Sequence, residues 1–164
     1  TLSHSSAASD VYKRQIGGDL KLEEIQELWN RDREIDISEL ATESIRIPQI
    51  HDKYLKIYVD EKIKLRKLQL NLAKISKMKS DYYSGRMSQE ELDRLEWQPF
   101  LVKVLKGEVN SYVESDDDII KLKETIALME EKINYIDSVI RMINNRGFQI
   151  KSAIDWIKYK DGIS

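Results

Sequence analysis

The clearest apolar pattern lies in the C-terminal third. Ile119, Leu122, Ile126, Met129, Ile133, Ile136, Ile140 and Ile143 recur at alternating spacings of three and four. That is the heptad period of an α-helix with one apolar seam. Ile150, Ile154 and Ile157 keep the register beyond Gly147. The spacing predicts a helix over 119–159. Its seam needs a partner helix, from within the chain or from another copy. Isoleucine at both seam positions leans towards association above a dimer. The candidate oligomerisation residues are Ile126, Met129, Ile133, Ile136, Ile140 and Ile143; the alternative is a core helix of a monomeric bundle. Gly147 reads as a hinge or as a point of close backbone approach.

A second long helix is expected from Gln49, where the pattern runs without Gly or Pro until Gly85. It would run roughly 50 Å at 1.5 Å per residue. Its apolar stripe is Tyr54, Ile57, Leu65, Leu68, Leu72, Ile75 and Tyr82, interrupted by Glu61 and Lys79. Upstream, Leu22, Ile25, Leu28 and Trp29 give one face of a helix over 20–33, with Asp19 as its cap. Asp36, with Glu39 three residues on, predicts a second cap and a short helix to Arg46. Pro48 marks the boundary before the long helix.

After Gly85 the pattern weakens. Ser88 with Glu91 forms a capping box for a short acidic helix to Trp97, stopped before Pro99. Leu101, Val102, Val104 and Leu105 precede Lys106-Gly107, and Val109, Tyr112 and Val113 follow. That arrangement suits a small β-hairpin. The aspartates at 116–118 read as the cap of the last helix, in preference to a metal site. The fold class is therefore mainly α, with long helices and a possible small β-hairpin.

In residues 1–18, T-L-S-H-S-S-A-A-S is small and polar without periodicity, and D-V-Y-K-R-Q, ending at Gln15, resembles translated linker sequence. They read as translated linker sequence or as a disordered leader, and neither reading gives them a site, which sets His4 aside. Residues 19–164 read as one domain: N-terminal helices over 19–86, an acidic connector over 87–118, and the C-terminal helix over 119–159.

Composition agrees with long helices: 164 residues, 34% charged, with 6 Gly and 2 Pro. There is no cysteine, which excludes disulfides and thiolate chemistry and fits a reducing cytoplasm. No apolar run approaches the ~18 residues of a membrane span. The net charge of -2 argues against a nucleic-acid binder until its distribution is read. Lys53 to Arg86 holds ten basic against three acidic residues, whereas Met87 to Asp118 holds three against nine. The basic segment narrows to Asn71–Arg86, N-L-A-K-I-S-K-M-K-S-D-Y-Y-S-G-R. There lysines meet a tyrosine pair, and lysine neutralises phosphate while a tyrosine ring offers a face for an unstacked base. A solvated lysine face is the alternative. The candidate DNA-binding residues are Lys74, Lys77, Lys79, Tyr83 and Arg86, with Tyr82 on the apolar stripe. No phosphate loop, nucleophile elbow or zinc spacing is present. Nothing points to an enzyme or a cofactor.

Two motifs, D-Y-Y-S-G-R at Asp81–Arg86 and R-G-F-Q-I-K at Arg146–Lys151, together with L-E-E-I-Q-E-L near Leu22, resemble the UvsY family of T-even-type phages. The resemblance covers most of the chain and is loosest over 87–118. It implies a non-enzymatic, sequence-tolerant single-stranded-DNA binder working in the cytoplasm of an infected bacterium. It implies a homo-oligomeric ring, a hexamer or heptamer, assembled through the C-terminal helices. It also implies two protein partners, a RecA-like recombinase and the phage single-strand-binding protein, with the first loaded onto DNA covered by the second. The family's DNA-binding basic pair maps onto Lys77 and Lys79. The second of these is arginine in the best-known relative; lysine keeps the charge and loses the planar fork. The rival reading is a helical adaptor that forms a coiled-coil-type oligomer and does not bind DNA.

Overall fold

The computed structural model describes residues 20–162. Five α-helices follow one another: α1 Leu22–Asp32, α2 Leu40–Tyr83, α3 Gln89–Leu95, α4 Val109–Glu114 and α5 Asp117–Lys160. A single 3-10 turn, Ile37–Glu39, precedes α2. No strand occurs among the described residues. Two compact units are formed, one from residues up to Asp60 and from Lys132 onward, the other from Glu61–Glu131.

The predicted first helix is present as α1, which buries Ile25, Leu28 and Trp29. Asp19 and the leader lie outside the described residues. The 44-residue α2 differs from expectation at its start, because it runs unbroken through Pro48. Proline cannot donate to the Ser44 carbonyl. Both residues are exposed, so water can take that carbonyl, and the helix continues. Asp36 does cap the 3-10 turn, accepting from the Ser38 amide at 2.9 Å.

In the first unit, Ile50, Tyr54 and Ile57 of α2 pack with Ile136, Val139 and Ile143 of α5 and with Leu28 and Trp29 of α1. Trp29 and Tyr54 meet edge to face, 5.7 Å apart at 89°. The Tyr54 hydroxyl donates to Asp32 at 3.1 Å, and Lys53 and Arg46 pair with the same carboxylate at 2.6 and 3.2 Å. Burial first, and then the Asp32 charge, push the Tyr54 hydroxyl well above the ordinary phenol range. The isoleucine seam thus finds its partner within the chain. Ile126, Met129, Ile133, Ile136 and Ile143 are all buried, and Ile140 is packed against the first core. This is the bundle-helix alternative; these six side chains are not an open seam. Gly147 lies inside continuous α5, and an added Cβ would meet nothing within 4 Å, so no close approach requires it.

Arg146 fixes the exit from α1. It is 2% exposed. Its guanidinium donates to the carbonyls of Asp32, Arg33 and Glu34 at 3.0, 3.2 and 2.6 Å and to the Glu43 carboxylate at 2.7 Å. A helix leaves its last carbonyls without intrahelical partners, and the planar fork satisfies them together. Lys132 does similar work at the entrance, donating to the Leu20 carbonyl at 2.8 Å.

The second unit has its own small core of Val109, Val113 and Ile119, covered by Leu72, Ile75, Tyr83 and Val104. The expected hairpin is absent: residues 100–108 are irregular and 109–114 are helical. Val109 and Val113 are both buried, a spacing of four that belongs to a helix face, while Leu101, Val102 and Leu105 face solvent. The Ser88–Glu91 capping box forms as expected, with reciprocal bonds of 3.0 and 3.3 Å at the start of α3.

Replacing Arg146 by Met takes from Glu43 its buried partner, leaving it Arg46 at 3.5 Å, and should lower the unfolding free energy by about 3 kcal/mol. The bond from Arg146 is the main cause that holds the Glu43 carboxyl below its ordinary value of 4.5. A depressed carboxyl contributes stability above its unfolded value and loses it as pH falls through its folded value. Urea denaturation followed by circular dichroism should therefore show an acid-dependent loss in the parent that is weaker in Arg146→Met.

Candidate nucleic-acid interface

The C-terminal end of α2, the turn after it and α3 make one face of the second unit. The turn is a Schellman motif. The Gly85 amide donates to Tyr82 O at 3.1 Å, and the Arg86 amide to Asp81 O at 2.9 Å. Gly85 sits at φ +69°, where a side chain would be strained. This reversal brings Arg86 and α3 back beside the last turns of α2. Between them lies a cavity of about 350 Å³ lined by Lys74, Lys77, Met78, Arg86, Met87 and Arg94, with Asp81 and Glu91.

Of the expected DNA-binding residues, the structure brings Lys74, Lys77 and Arg86 to this cavity, all exposed. Asp81 links two of them. Its carboxylate lies 3.1 Å from Lys77 Nζ and 3.1 Å from an Arg86 guanidinium nitrogen. Arg86 also donates from Nε to the Ser84 hydroxyl at 3.0 Å.

Lys79 and Tyr83 are placed elsewhere. Lys79 is 8% exposed and turned into the unit. Its ammonium lies 2.9 Å from Asp116, 2.7 Å from Asp118 and 4.5 Å from the Trp97 ring centroid. Burial disfavours the charged ammonium, but the bonds to Asp118 and Asp116 outweigh it and raise its pKa. Tyr83 donates to Asp116 at 2.7 Å. Its ring is packed edge-on to Phe100 at 5.0 Å and Tyr82 at 5.2 Å, and against Tyr112 at 5.6 Å. Burial, with the Asp116 bond, pushes the Tyr83 hydroxyl up beyond the phenol range. Tyr82 completes the cluster, 5.1 Å from Trp97, and donates to the Gln98 carbonyl at 2.9 Å. So the Lys79 ammonium is engaged in ion pairs, and the half-buried Tyr83 is held by Asp116 and its aromatic neighbours. The signal was available: Lys79 interrupts the apolar stripe at a stripe position, which the α2 register turns inward.

Asp116 joins these groups to α5. Its other oxygen accepts the Asp118 amide at 3.0 Å, capping the helix. Burial opposes its ionisation, yet Lys79 and Tyr83 hold the carboxyl below the ordinary value of 3.8. Among the described residues no group of acids or histidines is arranged to hold a metal. No described helix is long and apolar enough to cross a membrane.

A family model described as recombination, repair and ssDNA binding protein UvsY matches residues 28–163. The recombination protein uvsY of Enterobacteria phage T4 is 25% identical over 145 residues, covering 87% of this chain and 99% of that protein. A crystal structure of the bacteriophage T4 recombination mediator protein UvsY shares the fold with a TM-score of 0.75 at 22% identity, covering 87% of this chain and 99% of that one. A second lattice type gives 0.75 at 21% identity, covering 85% and 99%.

Lys79→Met should cost about 3 kcal/mol of stability, because Asp116 loses its buried partner. Lys77→Gln, at an exposed position, should stay within about 0.5 kcal/mol of the parent. The sign of the pH dependence follows from the pair. Its contribution is complete between 3.8 and 10.5, and is lost as pH falls through the depressed Asp116 or rises through the raised Lys79. Equal stability of the two variants in urea would overturn the structural role given to Lys79.

Proposed function

The chain belongs to the UvsY family of recombination, repair and ssDNA-binding proteins, and from that premise we propose that it is a recombination mediator acting on single-stranded DNA. In this reading it binds the strand without sequence preference and promotes loading of a RecA-like recombinase onto DNA covered by single-strand-binding protein. The observation that carries the DNA contact is the cavity beside Arg86, where Lys74, Lys77 and Arg86 stand exposed around Met78 and Met87. Cations neutralise phosphate, and the thioethers offer soft apolar surface to a base or sugar. Lys79 and Tyr83 serve this site by holding the end of α2 against the cap of α5.

One subunit offers few phosphate contacts, and such contacts are weak and salt-sensitive. Assembly into a ring of copies multiplies them. Once one subunit is engaged, the next contact is intramolecular, and affinity rises 10²-fold or more without new chemistry. Because the isoleucine seam is internal, other apolar surface must join the copies. Phe148, Trp156 and Tyr159 of α5 are exposed and available for that role. Loading then follows from differential affinity: the mediator holds the strand in a form that favours recombinase over the resident protein. This needs binding and no bond-making step, and its setting is the cytoplasm of an infected bacterium.

A fluorescence-anisotropy titration with oligo-dT tests the contact. The double variant Lys74→Gln, Lys77→Gln should bind more weakly, and the slope of log affinity against log salt should fall by about 1.4, near 0.7 per phosphate contact. An unchanged slope would sink the assignment. Light scattering on the same protein should report several copies per particle; a monomer at working concentration would remove the avidity argument.

A further inference from the structure

We infer that the strand does not stop at the first cavity: it continues past Arg86 into a second one, with Arg94 and Lys106 holding phosphates on either side. The inference rests on the DNA-binding reading above and extends it to residues outside the expected site.

The second cavity, of about 400 Å³, is lined by Ser80, Ser84, Arg86, Val104, Lys106 and Val109. Arg86 therefore lines both cavities, and the two adjoin at its side chain. Each has the same composition in outline. Cations stand beside apolar surface, thioethers in the first and valines in the second. A cation meets a phosphate, and an apolar wall meets the face of a base or a sugar. Neither cavity presents an amide side chain suited to reading base edges, which matches a sequence-tolerant ligand.

Unpaired charge remains in both cavities. Lys77 and Arg86 already share the Asp81 carboxylate. Glu91, the other acid in the first cavity, accepts bonds from the Ser88 amide and hydroxyl. Arg94 and Lys106 are exposed, and among the described residues neither is ion-paired. With Lys74 they are the cations lining these two cavities that hold no ion pair, and Arg94 also lies in the field of Glu91. Arg94 sits in the last turn of α3 and Lys106 in the irregular segment before α4, so the turn at Gly85 and the break before α4 each place one cation beside Arg86's cavities. Both belong to the stretch 87–118, whose acidic average conceals them.

The test uses the full chain, oligo-dT and a salt series. Arg94→Gln and Lys106→Gln should each weaken binding several-fold and lower the salt slope by about 0.7. Lys103→Gln removes an exposed charge from the same segment as Lys106 but lines neither cavity, and should leave the slope unchanged. Urea unfolding of all three should match the parent. If the Lys74, Lys77 variant loses slope while Arg94→Gln and Lys106→Gln do not, the extended path is overturned and the first contact stands. If Lys103→Gln falls as far as Lys106→Gln, charge acts through the general field and the path is again overturned. If the parent shows no salt-dependent binding, both the path and the reading beneath it fail.

Discussion

A cation buried among oxygens sets the register of each unit. Arg146 fastens the three carbonyls at the end of α1 and Glu43 of α2 to α5. Lys79 fastens α2 to Asp116 and Asp118 at the start of α5. Two long helices with heptad seams can slide by one heptad and still bury apolar surface. A buried ion pair adds little net stability over a well-packed apolar replacement. Its contribution here is specificity: only one register brings each cation to its oxygens. The hydrophobic seams hold the helices together, and the two cations decide where.

The helices were legible because their periodicity is strong and their lengths are bounded by caps. The Ser88–Glu91 box and the Gly85 stop are local chemistry, and both appear where the residues dictate. What was not legible was tertiary. Pro48 is a boundary signal locally, but an exposed carbonyl four residues earlier lets the helix pass through it. The heptad seam demands a partner and cannot say whose; here α1 and α2 supply it for Ile136 and Ile143. Residues 100–113 hold alternating and four-spaced apolar positions together, and burial of Val109 with Val113 decides for the helix.

The surroundings of the candidate residues were only partly legible. By type alone Lys74, Lys77 and Lys79 are alike, three lysines at the basic end of α2. Their register separates them: two project outward and one falls on the apolar stripe. The tyrosine pair looked like a stacking platform because tyrosine suits both tasks. Here Trp97, Phe100 and Tyr112, scattered through a segment with no periodicity, enclose it. Such a cluster is a product of folding and has no linear signature.

Asp116 has a consequence for how this sequence can change. One carboxylate caps α5, accepts the Tyr83 hydroxyl and neutralises Lys79. A substitution at Lys79 strands that charge, and a substitution at Asp116 strands the ammonium and the cap together. Change at these two positions is therefore expected to be concerted, passing through paired replacements. Lysine-to-arginine exchange at position 79 is the natural exception, since a fork can still span Asp116 and Asp118. The exposed cations at 74, 77 and 86 carry no such bond to the core, so that surface is free to drift in charge while its support stays fixed.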